Sequence, residues 1–319
     1  MLDKGRNDKI SASLMIFYLL LRKLSGTGKQ TMKKLENALQ KIDKYGQFVM
    51  KKLVNRRSLA ELQGIGQGKT VLITGASSGI GAMMARRFAY LGYNLAICAR
   101  REDRLNALKQ DIESKYPVKV AVKTLDVTDY KQIFTVFDSF VSDCKTRGKT
   151  IDKIIINAGV GDSRVIGHGR FETNRHTAEV NFIAAIAQCE AAMKIFRQQN
   201  SGQLVVISSM SAVRGLPRHL TTYAAAKAGL ANLAEGIRAD MMQEKRPITV
   251  TTIYPGYIRT ELNIGAKYLP FESTEEEGVE AIVEAIEAKV DEAFVPAWPW
   301  LPIGIGMKIL PLRVMTKFL

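Results

Sequence analysis

Residues 74–81 read Thr-Gly-Ala-Ser-Ser-Gly-Ile-Gly and follow a β-branched run, residues 70–73, Thr-Val-Leu-Ile. Glycine at 75, 79 and 81 permits a turn too tight for a Cβ and lets main-chain N–H groups face an anion where the next helix, from Ala82 to Leu91, begins. Three glycines alone say little. Strand, turn and helix in immediate succession point to a site for a dinucleotide, with Gly75, Ser77, Ser78, Gly79, Ile80 and Gly81 around its pyrophosphate. A second glycine cluster just upstream, from Gly64 to Thr70, imitates a phosphate loop. It fails because Gln63 stands where glycine is needed and no strand precedes it.

From residue 68 onward, short β-branched runs alternate with longer helical patterns. The strand candidates are 70–74, 94–99, 119–124, 152–156, 203–208 and 248–254. Strands separated by helices imply a parallel sheet covered on both faces. The expected fold is α/β, a Rossmann-type doubly wound parallel sheet of about seven strands. The chain divides into a basic amphipathic extension at 1–67, a nucleotide-binding catalytic domain at 68–292 and an apolar Trp/Pro-rich tail at 293–319.

Charge is concentrated at the ends. Residues 1–68 hold 14 Lys/Arg against 5 Asp/Glu, and residues 293–319 carry Lys308, Arg313 and Lys317 with no acid. The apolar stretch at 10–21 is too short to span a bilayer and lacks a small-x-small cleavage pattern, so neither an anchor nor a secretory signal is expected. Met32 offers an alternative start. Leu35, Leu39, Ile42, Val49 and Leu53 recur at helical spacing among lysines, which describes a helix packed on the body or lying on anionic lipid. Nucleic acid is not expected, because stacking aromatics are missing from the basic segment. In the tail, Pro296, Pro299 and Pro302 argue against a regular helix, and Trp298 and Trp300 suit a lid, a lipid anchor or plain packing. Cys98, Cys144 and Cys189 are widely spaced, with no Cys-x-x-Cys. That fits neither a disulfide framework nor a zinc site and suits a reducing, cytoplasmic setting with no metal.

The second strand candidate runs into Arg100-Arg101, where an NAD site usually places an acid for the ribose hydroxyl. Two guanidinium groups there favour the 2′-phosphate of NADP, while Glu102 and Asp103 keep NAD open. Tyr223 and Lys227 stand four apart, on one face of a helix. A cation beside a phenol lowers its pKa and suits it to acid/base work; taken alone, the pair reads as an ordinary surface pair. Ser209 closes the run 204–208, Leu-Val-Val-Ile-Ser, and a strand end would deliver it to the same crevice.

With these motifs in chain order, residues 68–265 resemble the short-chain dehydrogenase/reductase family. The Trp-Pro-Trp-Leu-Pro tail is similar to that of a bacterial, actinobacterial-type oxidoreductase branch. The resemblance implies catalytic roles for Asn181, Ser209, Tyr223 and Lys227, with Asn181 holding a water in a proton relay through Lys227. It places Asp126 and Val127 near the adenine, Asn157, Ala158 and Gly159 along the cofactor, and Pro255, Gly256, Ile258 and Thr260 toward the nicotinamide. Ile156 replaces a family Asn. The Ser-to-Tyr spacing is one residue longer than the family's commonest value, which leaves Ser211 a weaker contender. The loop 161–174 is longer than usual, and His168 within it reads as non-catalytic.

The resulting expectation is an NADP(H)-dependent carbonyl reductase or alcohol dehydrogenase. The rival is a non-catalytic NADP-binding scaffold or sensor. Leu262, Ile264, Tyr268, Leu269 and Phe271, with the tail, would wall the pocket and favour an apolar or lipid-like carbonyl. Family habit and the Ala-rich helices near 178–195 and 224–239 imply a homodimer or homotetramer. The basic amino terminus and the tail suggest peripheral membrane contact.

Overall fold

The computed structural model describes residues 54–261 and 271–315, together with Lys44, Gly46, Gln47, Met50 and Leu269. The apolar stretch 10–21, the positions Leu35, Leu39, Ile42, Val49 and Leu53, and the expected pocket residues Leu262, Ile264 and Tyr268 lie outside the described residues.

Seven parallel strands form one sheet in the order β3-β2-β1-β4-β5-β6-β7. They are β1 (Thr70–Thr74), β2 (Asn94–Ala99), β3 (Val120–Thr124), β4 (Lys153–Ile156), β5 (Gly202–Ile207), β6 (Ile248–Pro255) and β7 (Glu292–Val295). Between them run α1 (Gly79–Tyr90), α2 (Glu102–Lys115), α3 (Tyr130–Lys145), α4 (Phe171–Ala178), α5 (Ala184–Gln199), α6 (Thr221–Gln243) and α7 (Glu275–Glu287). A five-residue π turn, Glu179–Ile183, joins α4 to α5.

Alternation along each strand decides the layers. Val71, Ile73, Leu95 and Ile97 face one core with Phe88 of α1, Leu108 of α2 and Ile282 of α7. Leu72, Ala96, Cys98 and Leu204 face the other, with Phe137 of α3, Phe196 of α5 and Leu230 of α6. Both faces are therefore apolar, which is why the strand sequences read as unbroken hydrophobic runs. The strand order reverses direction between β1 and β4, and at such a point the crevice beyond the strand ends receives ligands.

The packed body runs past both ends of 68–292. Leu59 and Leu62 are buried in the first core, and β7 pairs with β6 from Thr252↔Glu292 to Pro255↔Val295. The seventh strand is only four residues of mixed character, so its own pattern does not announce it. In the tail, the expectation of no regular helix is wrong. Residues Ala297–Ile309 form α8, followed by the short α9 (Leu312–Met315). Trp298 leaves helical geometry at φ −98°, ψ 132°, so Pro299 begins the regular turn, where a missing N–H costs nothing. The carbonyl that Pro302 would strike belongs to Trp298, already turned aside. Trp300, Met307 and Met315 then close a third cluster over Met210, Leu216 and Tyr254.

Candidate active site

The turn after β1 is shaped by close approach of backbone to backbone. Gly75 and Gly79 have φ of +66° and +51°. A Cβ on Gly75 would lie 2.7 Å from Ala158 Cα, and one on Gly81 would lie 2.4 Å from the Gly75 carbonyl oxygen. Thr74 locks the turn to β4: its Oγ accepts from the N–H groups of Asn157 (3.1 Å) and Ala158 (3.2 Å). The Asn157 amide donates to the Thr74 carbonyl at 2.9 Å. Ile156, at the family's Asn position, is buried in the second core.

Ser78 caps α1 in extended geometry without a side-chain bond to the helix, and no acid occupies the first turn. The initial N–H groups of α1 thus point into the crevice with neither a capping oxygen nor a carboxylate against them, a setting that fits a diphosphate. The Arg101 guanidinium donates to the hydroxyls of Ser77 (2.9 Å) and Ser78 (2.6 Å), which holds a cation at the end of β2. Arg101 also lies 3.5 Å from Glu261, which Arg104 binds at 2.8 Å. Arg100 is exposed and sits within electrostatic range of Asp126. Burial pushes the Asp126 carboxyl upward, but Thr128, donating from its N–H and its hydroxyl, outweighs that and with Arg100 and His176 holds it below its usual range.

Beyond β4 and β5 the remaining groups meet. Lys227 is buried, and its ammonium donates to the Ile207 carbonyl at 2.9 Å. Ser208 Oγ donates to the Lys227 carbonyl at 2.9 Å, pinning α6 to the end of β5. A Cβ on Gly159 would stand 2.7 Å from Asn181 Oδ1 and 3.4 Å from Lys227 Nζ, so glycine there is what lets both side chains close in. Asn181 lies in the π turn rather than a plain helix; its amide accepts from the Val160 N–H (3.1 Å) and donates to the Val160 carbonyl (2.7 Å). Tyr223 stands in the first turn of α6, near enough to Ser209 for that serine to lower its phenol. Ser211 gives its backbone N–H to Ser209 Oγ at 3.1 Å, and Ser209 is the serine that acts on the phenol.

One electrostatic expectation changes. The Tyr223 phenol is raised above its ordinary value, because burial outweighs the lowering effect of the Ser209 hydrogen bond and Tyr257 adds to the rise. Lys227 spends its charge on the Ile207 carbonyl and is itself pushed down to about 8 by burial. Two other expected site residues have side chains in the apolar cores. Ile258 packs into the first core, 2.7 Å from where a Gly278 Cβ would be, and Val127 enters the second. Thr260 lies over the glycine turn, with its Cβ 3.4 Å from a Cβ built on Gly79. Pro255 ends β6, and the Gly256 N–H donates to the Val295 carbonyl at 2.9 Å. His168 is exposed.

Tyr257 was not among the residues expected at the site, and Trp300 was expected there only as part of a tail that could close as a lid. Tyr257 lies within electrostatic range of Tyr223 and meets Trp300 edge-on at 5.7 Å; Phe271 meets Trp300 at 5.5 Å. Trp300 fills the space over Gly256, where a Cβ would come within 2.0 Å of its ring. The signal for Tyr257 was its place between Gly256 and Ile258 in an already recognised motif. Among the described residues, no group of three or more His, Cys, Asp or Glu is placed to hold a metal.

A glycine cradle at the switch point, with hydroxyl, phenol and ammonium beyond the neighbouring strands, defines an oxidoreductase of the nucleotide-binding α/β class. The family model described as short chain dehydrogenase matches residues 69–268, and the chain belongs to that family. It is 43% identical over 249 residues to an uncharacterized oxidoreductase of Mycobacterium tuberculosis, covering 78% of this chain and 96% of the relative. An NADP-dependent mannitol dehydrogenase of Hypocrea jecorina is 34% identical over 202 residues, 62% of this chain and 73% of that one. Among solved structures, a short-chain type dehydrogenase/reductase from Mycobacterium marinum superposes with a TM-score of 0.65 at 24% identity, covering 75% of this chain and 97% of that one. An alcohol dehydrogenase from Thermococcus sibiricus, complexed with 5-hydroxy-NADP, gives 0.62 at 23% identity, covering 71% and 95%. At these identities the two structures speak for the fold.

Proposed function

We propose that the chain is an NADP(H)-dependent oxidoreductase that interconverts a carbonyl and a secondary alcohol on an apolar or lipid-like substrate. The observation that carries this reading is the meeting of four groups beyond β4 and β5: Ser209 acts on the Tyr223 phenol, Lys227 donates to the Ile207 carbonyl at 2.9 Å, and Asn181 and Lys227 both close on Gly159. NADPH, when bound, supplies a hydride. Ser209 donates a hydrogen bond to the substrate oxygen and stabilises negative charge there. Tyr223, kept protonated by burial, delivers the proton to that oxygen. Lys227 presents its ammonium to the cofactor ribose, and Asn181 clamps the Val160 backbone so that Gly159 stays open. Tyr257, Phe271 and Trp300 form an aromatic wall suited to an apolar substrate. NADPH oxidation against a panel of carbonyl compounds, with NADH as control, tests the reading; a preference for small charged ketones would overturn the substrate class.

The preference for NADP rests on Arg101 and Arg100 at the end of β2. Losing a charge-assisted contact costs about 1.5–3 kcal/mol. Arg101→Ala is therefore expected to raise the KM for NADPH by roughly 10–100-fold and to leave that for NADH unchanged. Equal effects on the two cofactors in steady-state assays would remove Arg101 from the choice.

Lys227 gives a pH dependence. Its pKa of about 8 lies below the ordinary 10.5, so the ammonium is present below that pH and is lost as pH rises through it. NADPH affinity, followed by fluorescence titration, is expected to weaken above about pH 8 in the wild type and to be flat in Lys227→Met. A wild-type affinity that holds level through this range would contradict the role.

The same reading makes the protein cytoplasmic and a homodimer or homotetramer. Ile183 at the end of the π turn, Ile186 at the start of α5 and Met242 near the end of α6 are exposed and suit contact with a second copy.

A further inference from the structure

Helix α8 is apolar on both sides, and the two sides have different fates. Its inner side carries Trp300, Gly304 and Met307 into the third cluster, with Phe294 and Met210 against Gly304. Its outer side leaves Ile305 52% and Ile309 74% exposed, and the chain continues with Leu310, Leu312 and Val314 also exposed. Among the described residues, five of the twelve exposed large hydrophobic side chains thus fall within positions 305–314. Such clustering marks a contact surface rather than the scattered exposure of an ordinary exterior.

Charge identifies the partner. Residues 293–319 hold three basic residues and no acid, and Lys308 stands exposed on the outer side. Arg214 anchors the end of α8 by donating to the carbonyls of Met307 and Leu310. At the other end of α8, Gly46 is buried and a Cβ on it would come 2.5 Å from the Trp298 ring. A twofold contact between copies through this face would set like charges together with no acid in the tail to meet them. An aliphatic face bordered by lysine and arginine matches anionic lipid instead.

We propose that the outer side of α8 and the residues after it form a docking surface for an anionic membrane. Ile305, Ile309 and Leu312 enter the headgroup region, and Lys308 lies on its phosphates. Ile305, Lys308, Ile309 and Leu312 are exposed and are not among the groups assigned to catalysis.

The test is co-sedimentation of the full chain with vesicles of phosphatidylcholine alone and with added phosphatidylserine. The account expects binding to the serine-containing vesicles that weakens with salt. Binding should fall at least tenfold, on the scale of a few lost apolar and basic contacts, in Ile305→Ser/Ile309→Ser/Leu312→Ser and in Lys308→Glu. NADPH-dependent reduction of a soluble carbonyl should persist in both variants, which reports folding separately. Three results would overturn the proposal: no vesicle binding by the wild type, undiminished binding by the triple variant, or a triple variant whose only change is a smaller oligomer by light scattering. The last would assign the face to a second copy of the chain.

Discussion

Tyr223→Phe is expected to retain NADPH binding and to lose about 10²–10⁴-fold in kcat, the span that general acid catalysis contributes. The substitution keeps the ring in its half-buried place at the first turn of α6 and removes only the hydroxyl that meets Ser209. Because burial holds that phenol above its ordinary value, it is protonated across neutral pH and suited to giving a proton in the reductive direction. Lys227, the contact proposed for the cofactor ribose, is anchored separately through Ile207 and Ser208, which is why affinity and turnover should separate. Fluorescence titration of NADPH and kcat at saturating carbonyl measure the two. Near-normal turnover in the variant would assign the proton to another group.

The second large effect lies far from the crevice, at the opposite ends of the strands. Lys153, at the start of β4, is 3.4 Å from Glu287 at the end of α7, with side chains only 6% and 3% exposed. Tyr93 donates its hydroxyl to Glu287 at 3.0 Å, and Lys153 donates to Gln203 at 2.8 Å. Burial pushes the Lys153 ammonium down, and Glu287 partly restores it. Removing one partner strands the other charge in the core, so Glu287→Ala is expected to cost about 3–5 kcal/mol. This would appear as a lower urea midpoint at unchanged slope. Replacing both members, Lys153→Met with Glu287→Leu, should recover most of that loss, because a packed apolar pair is often neutral or better. A single-variant loss below about 1 kcal/mol, typical of a solvated pair, would contradict the buried-network view.

These two predictions mark where the sequence was readable. The glycine turn, the alternation of strands and helices and the Ser209/Tyr223/Lys227 spacing are local patterns, and each encodes its own geometry. The lysine of 153 and the glutamate of 287 look like surface residues in sequence; only the pairing of β4 with β1 and β5 and the packing of α7 enclose them. Likewise β7 becomes a strand because β6 offers an edge, and α8 tolerates Pro302 because Trp298 has already turned aside. The apolar composition of the tail and Phe271 suggest a pocket wall, but which rings meet depends on the tail folding back over Gly256, a tertiary event. The direction of the Tyr223 shift was missed for a related reason. Spacing placed Lys227 beside the phenol, whereas burial and the Ile207 carbonyl decide where the charge is felt.

Reduction of an apolar ketone by the full chain, using NADPH labelled with deuterium at its transferable hydrogen, examines the central proposal most directly. The account expects alcohol product carrying deuterium on the carbinol carbon, formed by the wild type and suppressed in Tyr223→Phe and Ser209→Ala. Tight NADPH binding with no deuterium passed to any carbonyl compound tested would contradict it and leave a nucleotide-binding protein without this chemistry.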